Sequence, residues 1–106
     1  MAKITGTDFW SNEVSSVNEY FDGQVVSISF QGEQLPASVG VMKPGEYTFD
    51  TRQKETMTVV SGVLTVQLPG EGGWTDYRAG EHFIVAAGAA FRLKVASDAA
   101  YLYTYE

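Results

Sequence analysis

The chain has no cysteine, a single histidine and no apolar run long enough to span a bilayer. Without thiols it forms neither disulfides nor thiolate metal sites, and it has no cysteine nucleophile. That usage fits a reducing cytoplasm, the expected location. The lone histidine, His82, cannot build a histidine-ligated zinc or iron centre, so no metal is expected. Basic residues are scarce as well: seven Lys and Arg stand against 13 Asp and Glu, for a net charge of −6. Phosphate-backbone binding draws on clustered cations, so nucleic acid is not an expected partner. The N-terminus lacks the charged-then-apolar order of a secretory signal, and no membrane association is expected. No glycine-rich phosphate loop, dinucleotide fingerprint or Ser-His-Asp set can be assembled from this sequence.

What the 106 residues do contain is 11 glycines, two Trp, six Tyr and six Phe, a usage that favours many short strands joined by tight turns. Residues 1–17 show no sustained period and read as an N-terminal arm, whose Phe9-Trp10 pair either docks on the body or frays. Residues 18–106 read as one barrel domain. Asp22-Gly23 marks a turn, and Val26, Ile28 and Phe30 then alternate with Ser27 and Ser29 as a half-buried strand. Val39 and Val41 share one face of the next strand, which Pro44-Gly45 closes. Further on, Leu64, Val66 and Leu68 alternate, Phe83 and Val85 face inward, and Phe91, Leu93 and Val95 alternate with outward Arg92 and Lys94. Tyr101-Leu-Tyr-Thr-Tyr105 closes the chain. Eight to ten short strands without a helical period predict an all-β closed barrel or jelly roll in a single domain.

The stretch from Gly45 to Gly62 organises this pattern as strand, polar loop, strand and turn. Within it Glu55 precedes Met57 and Val59 at period two, which places its carboxylate on the same face as two apolar side chains. Burying an unpaired carboxylate costs roughly several kcal/mol, so Glu55 must be protonated, paired, or lining a cavity.

Glu55, six residues and Gly62 fit the end of the first cupin motif, G-x5-H-x-H-x3,4-E-x6-G. Gly80, Ala86, Gly88 and Phe91 follow the spacing of the second, G-x5-P-x-G-x2-H. The glycine frame is present and the histidine ligands are not: Phe49 and Thr51, or Thr48 and Asp50, and finally Phe91 stand in their places. A closer resemblance covers residues 18–106. The runs Asn18-Glu-Tyr-Phe21, Ala37-Ser-Val-Gly-Val-Met42, Gly45-Glu-Tyr-Thr-Phe49 and Glu55-Thr-Met-Thr-Val59 resemble the pyrimidine/purine nucleoside phosphorylase family of small bacterial cupins. That resemblance implies a homodimeric cupin barrel acting as a pentosyltransferase of broad base specificity. It would convert a nucleoside and phosphate to free base and ribose 1-phosphate, with phosphate as co-substrate and no other cofactor.

Such a reaction passes through a state with oxocarbenium character, so the protein must hold phosphate in line, orient the ribose and ease departure of the base. Glu55 suits the catalytic role, accepting hydrogen bonds from sugar hydroxyls and stabilising charge at the anomeric carbon. Its alternative is a structural pairing with an inward hydroxyl or backbone donor. Phe49, Phe91 and Tyr47 are candidate stacking platforms for a base, or core. Met57 is a candidate cavity wall. Thr51 and Ser38 offer hydroxyls to sugar or phosphate, or make ordinary strand hydrogen bonds. For phosphate, Lys43 and Arg52 are the candidates, both expected near the barrel mouth with Lys54. Arg92 should point away from the cavity. Two rivals stay open: a metal-free binding module that senses a nucleoside or sugar, and a cupin isomerase using Tyr47 or the Tyr101, Tyr103 and Tyr105 strand.

Overall fold

The computed structural model describes residues 16–106, which form ten strands and no helix. These are β1 (Ser16–Tyr20), β2 (Val25–Gln31), β3 (Pro36–Met42), β4 (Gly45–Asp50) and β5 (Glu55–Ser61), followed by β6 (Val63–Gln67), β7 (Thr75–Arg78), β8 (His82–Val85), β9 (Ala90–Val95) and β10 (Ala99–Tyr105). Two antiparallel sheets result, one of six strands in the order β1-β2-β3-β10-β5-β8 and one of four in the order β4-β9-β6-β7. The all-β jelly-roll expectation is met. The arm read over residues 1–17 lies outside the described residues up to position 15, and Ser16 and Val17 already pair with Ser29 and Ile28 in the first sheet.

Why the chain crosses between sheets is legible at its turns. Gly62, Gly80 and Gly88, the frame glycines, all take positive φ, between 72° and 90°. At Gly62 a β-carbon would also stand 2.9 Å from the Asp98 carbonyl oxygen, so the β5–β6 corner needs glycine for both backbone freedom and space. The β1–β2 turn is more demanding, because Phe21, Asp22 and Gly23 all adopt left-handed φ. That turn lays the Phe21 ring on Tyr47 (centroids 4.9 Å apart) and Phe49 (5.4 Å), joining the β1 edge of one sheet to the β4 edge of the other.

Between the sheets lies an apolar core in which Met57, Val59, Phe83 and Val85 from the six-stranded sheet join Leu64, Val66, Phe91 and Leu93 from the four-stranded one. Each strand contributes alternate residues, as the sequence period dictates. Fully burying one such side chain stabilises the fold by about 1.5–3 kcal/mol. Arg92 and Lys94 point outward as expected: Arg92 pairs with Glu46, and the Lys94 ammonium sits 4.1 Å from the centre of the Trp74 ring.

One strand runs in the opposite phase to its expectation. Val26, Ile28 and Phe30 of β2 are only partly buried and face away from the core, while Val25 and Ser27 are buried within. The register carries that phase across the sheet, pairing Val26 with Val41 and Ile28 with Val39. Val39 and Val41 are 40% and 46% exposed. The six-stranded sheet therefore has an apolar outer face, and alternation alone does not reveal which of two faces is inward.

Candidate active site

On the inner side, β2, β3 and β10 do not carry aliphatic residues at every inward position. Ser27 stands opposite Gly40, and Gly40 opposite Tyr101. A β-carbon at Gly40 would lie 2.6 Å from the Tyr101 hydroxyl oxygen, so the missing side chain is what lets that ring lie across β3 toward Ser27. Tyr101, Tyr103 and Tyr105 follow at period two on β10 and share the inward face. With Ser27, Ser38, Tyr20, Phe49, Asp50, Arg52, Gln53 and Glu55 they line a cavity of about 390 Å³. That volume lies in the range of small-molecule sites.

Glu55 is the charged residue with least exposure in this region, 8%. It opens β5 directly opposite Tyr105 and Val85, so neighbouring strands enclose it on both sides. Burial raises its pKa above the ordinary carboxylate value, and the neighbouring Tyr103 hydroxyl, which lines the same cavity, pulls it partly back. Burial also pushes the Tyr103 phenol far up, reinforced by the Glu55 charge, so that hydroxyl stays a donor at neutral pH. The Tyr105 hydroxyl lies 2.9 Å from Ser38 Oγ. Tyr101 is pushed up to about 12, again mainly by burial.

The cavity rim owes its placement to Thr51, the residue after β4. Its hydroxyl donates to the Ala86 carbonyl at 2.6 Å and accepts from the Ala89 N–H at 3.0 Å. Its own N–H donates to the Ala89 carbonyl at 2.8 Å, and its carbonyl accepts from Gly88 N–H at 3.0 Å. The β4–β5 connection is thus pinned to the β8–β9 turn. On its other side, Lys54 pairs with Glu106 at 3.6 Å. Between those two anchors, Arg52 and Gln53 are held against the cavity.

The structure gathers Glu55, Phe49, Ser38 and Arg52 from the sequence-derived candidates and separates the others from the cavity. Phe91 is buried in the core between Phe49 and Phe83, with ring centroids 5.7 Å from each. Met57 is fully buried in the same core. Tyr47 is buried too, and its hydroxyl donates to the Lys43 carbonyl at 2.6 Å. Thr51 spends its hydroxyl on the Ala86 carbonyl and the Ala89 N–H. Lys43 follows β3 and pairs with Asp98 at 3.2 Å, beside the start of β10, whereas Glu55 meets the end of that strand. The loop position that suggested a mouth residue therefore belongs to the other end of the sheet. Sequence reasoning missed Ser27, Tyr20, Asp50 and Gln53 as cavity residues, and considered the β10 tyrosines only for an isomerase. The period-two Tyr101, Tyr103, Tyr105 run was the available signal.

Residues 15–105 match a family model described as pyrimidine/purine nucleoside phosphorylase. A protein of that name from Magnetococcus marinus is 66% identical over 89 residues, which cover 84% of this chain and 96% of the relative. A crystal structure of a Vibrio parahaemolyticus protein of unknown function superposes with a TM-score of 0.84 at 47% identity, covering 87% of this chain and 98% of that one. An RmlC-like cupin from Shewanella frigidimarina superposes with a TM-score of 0.69 at 19% identity over 87% of this chain and 83% of that one, placing the fold among the cupins.

Proposed function

The chain belongs to the pyrimidine/purine nucleoside phosphorylase family, and from that membership we propose that it cleaves purine and pyrimidine nucleosides with phosphate. The observation that carries the reading is a buried carboxylate, Glu55, set among tyrosine and serine hydroxyls in a cavity of about 390 Å³. A phosphate oxygen forms a bond to the anomeric carbon as the N-glycosidic bond breaks. The electron pair of that bond leaves with the base, which takes up a proton, and the sugar becomes ribose 1-phosphate. Glu55 accepts hydrogen bonds from ribose hydroxyls and stabilises positive charge developing on the sugar. Phe49 offers a ring face that reads no base edge, which suits broad base acceptance. Arg52 is the cation lining the cavity among the described residues, and it is the group assigned to phosphate. Phosphate as co-substrate is the only small molecule this scheme needs besides the nucleoside.

The same proposal includes a homodimer. Val17, Val39, Val41, Val60 and Ile84 are each at least 40% exposed on the six-stranded sheet, and Val26 and Ile28 lie beside them. This face is mainly apolar, with Glu19 at its β1 edge, and lets a second copy approach despite the net charge of −6; sheets pack face to face at about 10 Å. Light scattering across a dilution series should give twice the chain mass, and Val41→Lys should give a monomer. A monomeric wild type at every concentration removes the dimer.

The decisive assay is release of free base from uridine and inosine, with and without phosphate, by wild type and Glu55→Gln. Release that requires phosphate and falls about a hundredfold in the variant, about 2.7 kcal/mol of transition-state stabilisation, supports the reaction and the role of Glu55. Binding of a nucleoside without base release would replace the enzyme by a binding module.

A further inference from the structure

Among the described residues no salt bridge reaches Glu55: the three present join Lys43 to Asp98, Lys54 to Glu106 and Arg92 to Glu46. A buried carboxylate left without a cation needs another donor, and β10 supplies a phenol. The three inward tyrosines of that strand are divided among different partners. Tyr105, opposite Glu55, has its hydroxyl 2.9 Å from Ser38 Oγ, and the Tyr101 ring lies across Gly40; Tyr103 stands opposite Met57, two positions from Glu55 on the same inward face of β5, and lines the same cavity as the carboxylate. Tyr103 is itself 7% exposed, and its ring packs against Tyr101 and Tyr105 with centroids 5.6 Å away on each side. Its hydroxyl is therefore fixed by packing and not by solvent.

We propose that Tyr103 is the positioning residue for Glu55: its hydroxyl donates to one carboxylate oxygen, fixes the rotamer, and leaves the other oxygen for the ribose. This rests on the phosphorylase reading of the cavity. The choice of phenol over cation has a chemical consequence. An arginine or lysine at this place would neutralise the charge that has to meet the developing oxocarbenium ion, whereas a phenol orients the carboxylate and leaves its charge in place. The hydrogen bond also works against desolvation, keeping more of Glu55 ionised than burial alone would allow. The other titratable groups lining the same cavity are Tyr101 and Tyr105 from β10, Tyr20 from β1, and Asp50 and Arg52 from β4 and the connection after it, while β8 places Val85 opposite Glu55. Tyr103→Phe leaves all of them in place, so a displaced titration reports the lost phenol.

The test combines the pH profile of kcat/KM for phosphate-dependent uridine cleavage with a carbon-13 NMR titration of the Glu55 carboxyl, assigned by its absence in Glu55→Gln. In Tyr103→Phe the Glu55 titration and the acid limb of kcat/KM should both move to higher pH, and kcat should fall about tenfold with KM changed less. A folded Tyr103→Phe whose Glu55 titration stays in place overturns the proposal, since a packing role would lower activity without moving the limb. If that variant does not fold, the Tyr103 hydroxyl proton is compared in wild type and Glu55→Gln. An upfield move on loss of the carboxylate supports the pairing, and no move overturns it. A wild type without phosphate-dependent base release, but with a Glu55 titration displaced by Tyr103→Phe, removes the phosphorylase reading and leaves the pairing standing.

Discussion

Two parts of one inner sheet face differ more than their sequences' periods suggest. On β5 and β8 the inward positions after Glu55 are Met57, Val59, Phe83 and Val85, and they close against Leu64, Val66, Phe91 and Leu93. On β2, β3 and β10 the inward positions include Ser27, Ser38, Gly40 and three tyrosines, and they surround a cavity. Both parts alternate with period two. The first contributes burial and therefore stability, and the second contributes hydroxyls and a carboxylate whose desolvation is unfavourable. Glu55 and Met57 lie two residues apart on one strand and fall on opposite sides of this division. Within a barrel this small, stability and chemistry share one layer, and the division between them cuts across β5.

The largest effect expected from this division lies on its dry side. Leu64 is fully buried in the core and does not line the cavity, so Leu64→Ala should destabilise the fold by about 2–5 kcal/mol in denaturant melts while leaving KM for uridine unchanged. A large change in KM would merge the two regions.

On the wet side, Glu55→Gln should abolish most activity and yet stabilise the protein at neutral pH. The sign follows from linkage. The folded-state pKa of Glu55 is raised above its ordinary 4.5, so below that value both states are protonated and nothing is lost. As pH rises from there, the unfolded chain ionises first and stability falls until the pH passes the folded pKa. Melts of wild type and variant should therefore converge near pH 4 and separate by pH 7, with the variant the more stable. Convergence at pH 7 would mean that the carboxylate is fully compensated.

Thr51 tests the seam between the regions. Thr51→Val removes one donated and one accepted hydrogen bond to the backbone of Ala86 and Ala89, for an expected loss of about 1–3 kcal/mol, and should raise KM for phosphate more than for nucleoside by releasing Arg52. Equal changes in both KM values would detach Arg52 from phosphate. The smallest effect belongs to Lys43, whose pair with Asp98 is more than half exposed: Lys43→Ala should change stability by less than about 0.5 kcal/mol and leave phosphate dependence intact. A selective loss of phosphate affinity there would return Lys43 to the site.

β6 and β9 were legible because their polar residues point to water and their apolar ones to the core; Phe91-Arg-Leu-Lys-Val95 is the clearest instance. Glu55 was legible for a related reason, as an acid out of place in an apolar alternation. In β2 the same reasoning selected the wrong face, since Ser27 lines the cavity there and Val26 and Ile28 lie on the outside of the sheet. Phe91 and Met57 could not be told from cavity residues, because an inward apolar side chain reads the same whether the space before it is filled or open. Thr51 could not be told from a ligand, because its partners on Ala86 and Ala89 are more than 30 residues away in sequence.

By itself the sequence determined the all-β class, the turns at Gly62, Gly80 and Gly88, and the inward carboxylate, since these depend on backbone freedom and on a period of two. Only the tertiary structure decided which hydroxyls meet that carboxylate. Tyr103 and Glu55 are 48 positions apart and become neighbours because β10 inserts between β3 and β5. Strand order is set by how the two sheets bury their faces against each other, a long-range free energy that no local period encodes.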